Sequence, residues 1–566
     1  MGYYVLAVGG TGNKILESLV YLAAVDGLYT QDESGKTAPL PDVTMLSVDV
    51  DTACGNTTRA KRAAESYGEL QRAFRQYPAE HPGFHTALQL ERWSMNLSRR
   101  AMSVDKMVEN HRRDQLLSRT LFSRTESALE YSEGFRGHPD LGVLFFHDLL
   151  NSLDDLRREG QPDEMNRLLD QIQAELDRDE PVKLILCGSI FGGTGASGIP
   201  AVARFLRKRF AARSDRFEMG ALLMLPYYRV PASLADEDTE IVVKSDDFLD
   251  KARTALQYYG MEGMIRDGEQ DENGVFDALY LLGLPPEGFV TTCRYSTGSQ
   301  SQENDAHMLE WLASRCIAKF FRTGFRGGEQ HHMDCYYYQL HTPSFCWQSF
   351  DREETLYRRG YGSLLKAAAL FFAECYHTLK SCVSLDDRQS ARVNYCAPYF
   401  AHRPASEREK LEGLLKTLYT FLNFYANWMI QIVRTLPPIL CQPAEAEGHL
   451  PENDLLDGEG MDELLLLLTQ YGLRPEQRSR AEMSRAAEKL QRELHHLVVR
   501  RVPDRRTAAK IIAWQPPLAK RISRMLDPRS IIATKLSVQV ALSSSTVSTE
   551  CMFFPPRFSC SRDRLQ

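Results

Sequence analysis

Along the first half of the chain, apolar and polar positions switch repeatedly between two periods. Tyr4-Val5-Leu6-Ala7-Val8 is a continuous apolar run, the pattern of a short buried strand. Ile15, Leu16, Leu19, Val20 and Leu22 then recur at helical spacing. Residues 28–42 are polar, with Gly and Pro, and predict a loop. Val43-Thr44-Met45-Leu46-Ser47-Val48 predicts a second strand, ending in Asp49-Val50-Asp51. Residues 56–130, rich in Arg, Ala, Glu and Leu, predict helices broken near Pro78 and Pro82. After a Gly/Pro turn at 134–142, residues 143–177 predict a helical stretch interrupted around Gly160-Gln161-Pro162. A strand at 183–188, a helix near 199–210, a strand at 217–225, a helix near 244–260 and a strand at 276–283 complete the pattern. Strands alternating with helices predict an α/β fold: a mostly parallel sheet with helices on both faces.

The second half reads differently. Helical periodicity covers 305–323, 353–383, 406–436, 459–472 and 476–500, with connections at 384–405 and 437–458. Cys335-Tyr336-Tyr337-Tyr338 fits a strand, and 533–554, rich in Val, Ser and Thr, fits a short β segment. The expected organisation is an α/β domain at 1–265 with a helical insertion at about 56–130, a second α/β subdomain at 266–350, and a mostly helical region at 351–566. That last region carries Arg500, Arg501, Arg505 and Arg506, a charged face or a docking surface for a protein partner.

Composition narrows the function classes. The 566 residues are 43% hydrophobic and 25% charged, as in ordinary globular proteins. A net charge of -7 argues against a nucleic-acid partner. No apolar run reaches the ~18 residues of a membrane span, and Met1-Gly2-Tyr3-Tyr4 lacks a basic leader, so a cytoplasmic protein is expected. Twelve scattered cysteines read as reduced thiols. His331-His332 with Cys335 lacks complete zinc spacing, which leaves a surface turn as the simpler reading.

Two glycine turns carry the chemistry. Gly9-Gly10-Thr11-Gly12-Asn13 follows the first strand, and Gly192-Gly193-Thr194-Gly195-Ala196-Ser197-Gly198 follows the strand at 183–188. Each reads as strand, glycine loop, helix, an arrangement that aims backbone N–H groups and a helix N-terminus at an anion. Neither turn is a Walker A loop, which needs G-x-x-x-x-G-K-[ST]. The second matches G-x-G-x-x-G through Gly193, Gly195 and Gly198, but no acid ends the next strand, which reads Leu225-Pro226. The first has a suitable acid in Asp49, but Ile15 stands where the third glycine belongs. A dinucleotide site, and a pair of tight turns without a ligand, are the alternatives.

Phe191-Gly192-Gly193-Thr194-Gly195-Ala196-Ser197 resembles the tubulin signature GGGTGSG, with Phe191 for the first glycine and Ser197 for the last. Gly9 to Asn13 resembles the first loop, GGGGN, of the bacterial cell-division tubulin homologue. Gly137-His138-Pro139-Asp140-Leu141-Gly142 resembles its third loop. Asp49 and Asp51 stand at the place of the second loop, and Leu225-Pro226-Tyr227-Tyr228 at the fifth. The chain is similar to divergent bacterial tubulin-like proteins over about residues 3–325.

That resemblance implies GTP or GDP as ligand, with Mg2+ an accompanying ion. It places Gly10, Thr11, Gly12 and Asn13 along one side of the phosphates, Gly193, Thr194, Gly195 and Ser197 along the other, and Gly137 at the terminal phosphate. Lys14 and Arg136 read as solvated. Base recognition falls to Phe248 and Asp250, with Asp246 and Asp247 nearby, on the helix after the fifth loop. Hydrolysis in tubulins uses an acidic loop placed on the neighbouring subunit's nucleotide. Here that stretch is 298–305, with Asn304 and Asp305 as the catalytic pair. His307 and Glu310 share a face with Asn304. The implied activity is a slow GTPase activated by head-to-tail self-assembly into filaments, or a nucleotide-gated scaffold without turnover.

Overall fold

The computed structural model describes residues 1–31, 35–75, 83–110, 112–229, 247–261, 274–284, 289–291, 304–325, 334–339 and 405–434, with positions 264, 286, 361, 364 and 368. Its strands are β1 (Gly2–Val8), β2 (Tyr29–Gln31), β3 (Thr37–Pro39), β4 (Asp42–Val48), β5 (Ala87–Arg92), β6 (Val182–Ser189), β7 (Phe217–Met224), β8 (Tyr228–Arg229), β9 (Ala278–Gly283), β10 (Val290–Thr291) and β11 (Asp334–Gln339). The helices are α1 (Gly9–Ala24), α2 (Gly55–Arg75), α3 (Val104–Val108), α4 (Arg112–Leu121), α5 (Arg124–Ala128), α6 (Pro139–Asn151), α7 (Leu153–Arg158), α8 (Glu164–Asp177), α9 (Gly193–Arg209), α10 (Phe248–Met261), α11 (Met308–Arg322) and α12 (Ala405–Arg434).

Seven strands form one sheet in the order β11-β9-β7-β6-β1-β4-β5, every pair parallel. Every residue of β1, β6 and β7 is buried, which is why their sequences run apolar without alternation. From β1 the chain moves to β4 and β5 on one side. It then returns to β6 and proceeds through β7, β9 and β11 on the other. The order therefore reverses between β1 and β6, and an open α/β sheet takes its ligands at the carboxyl ends of the strands at such a point. Because the two crossovers run in opposite directions, right-handed connections place α1 and α9 on opposite faces. Helix α1 packs against α2 and α11, while α9 packs against α6.

Two close approaches explain the glycines. A Cβ on Gly12 would lie 2.8 Å from the Ala7 carbonyl carbon and 2.9 Å from the Cys187 oxygen, so α1 crosses the ends of β1 and β6 in backbone contact. A Cβ on Gly195 would strike the Ser189 carbonyl oxygen, so α9 begins equally close to β6.

The structure corrects several expectations. The 56–130 segment is not wholly helical: Ala87–Arg92 is the edge strand, paired with β4 from Asp42↔Ala87 to Ser47↔Arg92. Its residues are individually good helix formers, but Leu88 and Leu90 alternate with Gln89 and Glu91, and sheet pairing overrides propensity. The polar stretch at 28–42 contains an antiparallel hairpin, β2 with β3. Beyond residue 265, β9 and β11 extend the same sheet. Helix α9 starts at Gly193 rather than near 199, so the glycine loop is itself the first helical turn.

The C-terminal expectations are met at α12, which packs along α2, with Tyr21 ringed by Phe421, Tyr425 and Trp428 at 4.7–5.8 Å. The helices expected at 459–472 and 476–500, the β segment at 533–554 and the 500–506 arginines lie outside the described residues. So do Asp246, residues 298–303 and the His331-His332 pair.

Candidate functional site

Helices α1 and α9 both begin at the ends of adjacent strands, which pair from Gly2↔Val182 to Val8↔Gly188. Neither has a side-chain cap, and neither has an acidic residue in its first turn. Their first N–H groups are thus left for an external acceptor, and both dipoles favour an anion there. The two starts touch: Gly9, at φ +76°, has its Cβ position 3.3 Å from the Thr194 Cβ and 3.4 Å from the Gly195 nitrogen. A cleft of about 830 Å3, its open mouth included, lies over this junction.

One part of the cleft lining is built of backbone. Gly9, Gly10 and Thr11 line one wall, and Ser189 with Gly192, Gly193, Thr194 and Gly195 the other. The turn Gly134-Phe135-Arg136-Gly137 closes a third side, with Gly134, Arg136 and Gly137 all at positive φ. Lys251 of α10 donates to the Gly137 carbonyl at 3.1 Å and ties this turn down.

Asp49 and Asp51 line the next wall, each 3% exposed. The Arg92 guanidinium donates to the carbonyls of Asp49, Asp51 and Thr52, which fixes the loop. Burial first, and the neighbouring Asp51 second, push the Asp49 carboxyl up to about 7, against the opposing pull of Arg92.

The rest of the lining is built of side chains. Phe191, Tyr227, Tyr228 and Phe248 form an aromatic wall, with Phe191 and Phe248 centroids 5.0 Å apart. Lys14 and Asn304 complete it. Lys14 is paired with Glu310, which also accepts from the Tyr227 hydroxyl at 2.7 Å and from the His307 backbone N–H at 2.8 Å. His307 caps α11, its Nδ1 accepting from the Leu309 N–H at 3.1 Å. Burial, then the Lys14 charge, push His307 down to about 3 and keep it neutral. Asn304 is held by its backbone: its N–H donates to Asn56 at 3.0 Å, and its carbonyl accepts from Arg59 at 3.1 Å. Its side-chain Oδ1 is buried and has no hydrogen-bond partner among the described residues. Gln431 of α12 accepts from the Ala306 N–H at 2.9 Å and from Arg59 at 3.4 Å, bracing this part from 125 residues away.

Of the sequence-predicted ligand residues, Gly9, Gly10, Thr11, Asp49, Asp51, Gly137, Gly192, Gly193, Thr194, Gly195 and Phe248 line the cleft. Six others stand outside its lining. Asn13 is a fully buried anchor, donating to Gly9 and Thr57 and accepting from Ser47. Ser197 turns its hydroxyl back onto the Gly193 carbonyl at 2.8 Å. Gly12, Ala196 and Gly198 belong to helix packing, and Asp250 is exposed. Helix α10 is peripheral, with Leu249, Tyr258 and Met261 exposed, whereas α11 is buried along most of its length and starts at the cleft.

Asn304 lines the cleft of its own chain, 8% exposed, and Asp305 does not line it. Lys14 and Arg136 are cleft residues rather than solvated ones. Sequence reasoning also left Asn56 and Ser189 without a place in the site. A polar residue on the first turn after the second loop was the one available signal for Asn56.

Residues 5–242 match the family model described as tubulin like, so this portion of the chain is similar to that family. The match takes in both glycine turns and the Asp49–Asp51 loop and ends before α10, so Asn304 and α11 lie beyond it. No curated protein matches the chain. Among the described residues, no helix is long and apolar enough to cross a membrane.

Proposed function

We propose that this protein binds a guanine nucleotide in the cleft between β1 and β6, and that the nucleotide governs head-to-tail association with further copies. One observation carries the reading: two uncapped helix N-termini from adjacent strands converge on a single cleft at the point where strand order reverses. The α- and β-phosphates would accept from the starts of α1 and α9, with the Gly134–Gly137 turn against the terminal phosphate. Asp49 and Asp51 are hard oxygen donors suited to an accompanying Mg2+, and their mutual repulsion is what such an ion would relieve. The base would lie against the aromatic wall, with the Asn304 side chain beside it. Guanine itself rests on the family.

Holding nucleotide without turnover is one form of this function, with Asn304 anchored through its backbone beside the cleft of its own chain. A slow GTPase activated by assembly is the second reading, supported by the family match. The cytoplasm, a filament of like subunits and a partner docking on the C-terminal region are consistent with either.

Extraction of the purified chain and chromatography of the released small molecule test the binding claim. A guanine nucleotide near one equivalent is expected; a flavin or nicotinamide dinucleotide would overturn it. Phosphate release per chain that rises steeply with protein concentration would select the GTPase; a flat, near-zero rate would select the scaffold.

A further inference from the structure

Outside the cleft, three side chains that bind metals meet at the far side of the Gly134–Gly137 turn. Glu126 lies on α5, His138 is the N-cap of α6, and Asp140 lies in its first turn. One ligand atom from each falls within 4.8 Å of the other two. The His138 Nδ1 stands 3.4 Å from Glu126 Oε1 and 4.0 Å from Asp140 Oδ1. The first separation is long for a charge-assisted hydrogen bond, which runs about 2.7–2.9 Å. It equals the edge of a tetrahedron, about 3.4 Å, when nitrogen and oxygen each sit about 2.0–2.1 Å from a zinc ion.

The set is also arranged to be ready. The other Glu126 oxygen, Oε2, accepts from the Ser123 N–H at 2.7 Å as half of a capping box, which orients the carboxylate and leaves Oε1 facing the histidine. No side-chain capping bond engages His138 at the start of α6. His138 and Glu126 are each 26% exposed, so an ion can enter and keep a water as its fourth ligand.

We infer that Glu126, His138 and Asp140 form a site for a divalent transition-metal ion such as Zn2+, joining α5 to the turn that borders the cleft. One neutral imidazole and two carboxylates suit a borderline cation better than Ca2+ or Mg2+, which take oxygen ligands alone. The ion binds whether or not a nucleotide is present, so the inference stands apart from the functional proposal.

The test is Zn2+ titration of the chelator-stripped full chain, with bound equivalents and thermal midpoint as readouts. Wild type is expected to bind one equivalent more than His138→Gln, and Zn2+ to raise its midpoint more than that of the variant. Glu126→Gln retains the capping box, because glutamine serves at that position, and should lose the same equivalent. Equal Zn2+ equivalents in wild type and in both variants would overturn the site.

Discussion

The two parts of the cleft lining are built by different means. At the glycine-rich part the cleft is lined by backbone, supplied by two short segments that directly follow adjacent strands, whose N–H groups are the proposed donors. At the aromatic part it is lined by side chains from Lys14, Phe191, Tyr227, Phe248 and Asn304, gathered across almost three hundred residues and braced by Gln431. A backbone site is specified by where glycine is permitted. A side-chain site is specified by packing, and it tolerates replacement one residue at a time.

Substitutions should separate the two parts accordingly. The largest effect is expected at Gly195→Arg, because its Cβ meets the Ser189 carbonyl oxygen before the side chain reaches the cleft. Overpacking backbone against backbone should cost about 3 kcal/mol, the upper part of the usual range, and lower the folded fraction seen by circular dichroism. A variant that folds normally and merely lacks ligand would refute the packing described.

Next is Asp49→Asn. The folded chain takes up a proton at Asp49 between the ordinary value of 3.8 and about 7, so its stability falls as pH rises through that window. Three units at about 1.4 kcal/mol each set an upper bound of roughly 4 kcal/mol. Without ligand, the variant should melt well above wild type at pH 8 and alongside it at pH 4. A gap independent of pH would remove the buried carboxylate from the account.

At the aromatic part, Tyr228→Ser should weaken GDP binding about tenfold, since base stacking is worth about 1–3 kcal/mol, and leave pyrophosphate binding unchanged. Parallel losses for both ligands would mean the wall does not touch the base. The smallest contrast is in selectivity: Asn304→Ala should erode the preference for guanine over adenine nucleotides, and Asp250→Asn should not alter it. The reverse result would return base recognition to α10.

This division also explains what the sequence disclosed. The strands β1, β4, β6, β7 and β9 and both glycine turns were legible, because buried parallel strands are apolar runs and close backbone approach demands glycine. Strand β5 was not, since Ala-Leu-Gln-Leu-Glu-Arg favours helix until β4 offers it a partner. Asn13 and Ser197 looked like ligand residues from their place in the motifs, yet each spends its polar atoms on neighbouring elements. Lys14 looked solvated because its partner Glu310 is 296 positions away along the chain, a pairing that no local pattern carries.

The central claim, that the open N-termini of α1 and α9 hold the phosphates, is tested most directly at Gly192→Asp. Gly192 is the N-cap of α9, and a Cβ there meets only the Ser189 hydroxyl, at 3.2 Å. Aspartate is a favoured N-cap and should hold or slightly raise the melting temperature, by roughly a few tenths of a kcal/mol relative to glycine. Its carboxylate would occupy the same N–H donors and repel an anion. The account predicts at least hundredfold weaker GDP binding by calorimetry in a protein as stable as wild type; unchanged GDP affinity would contradict it.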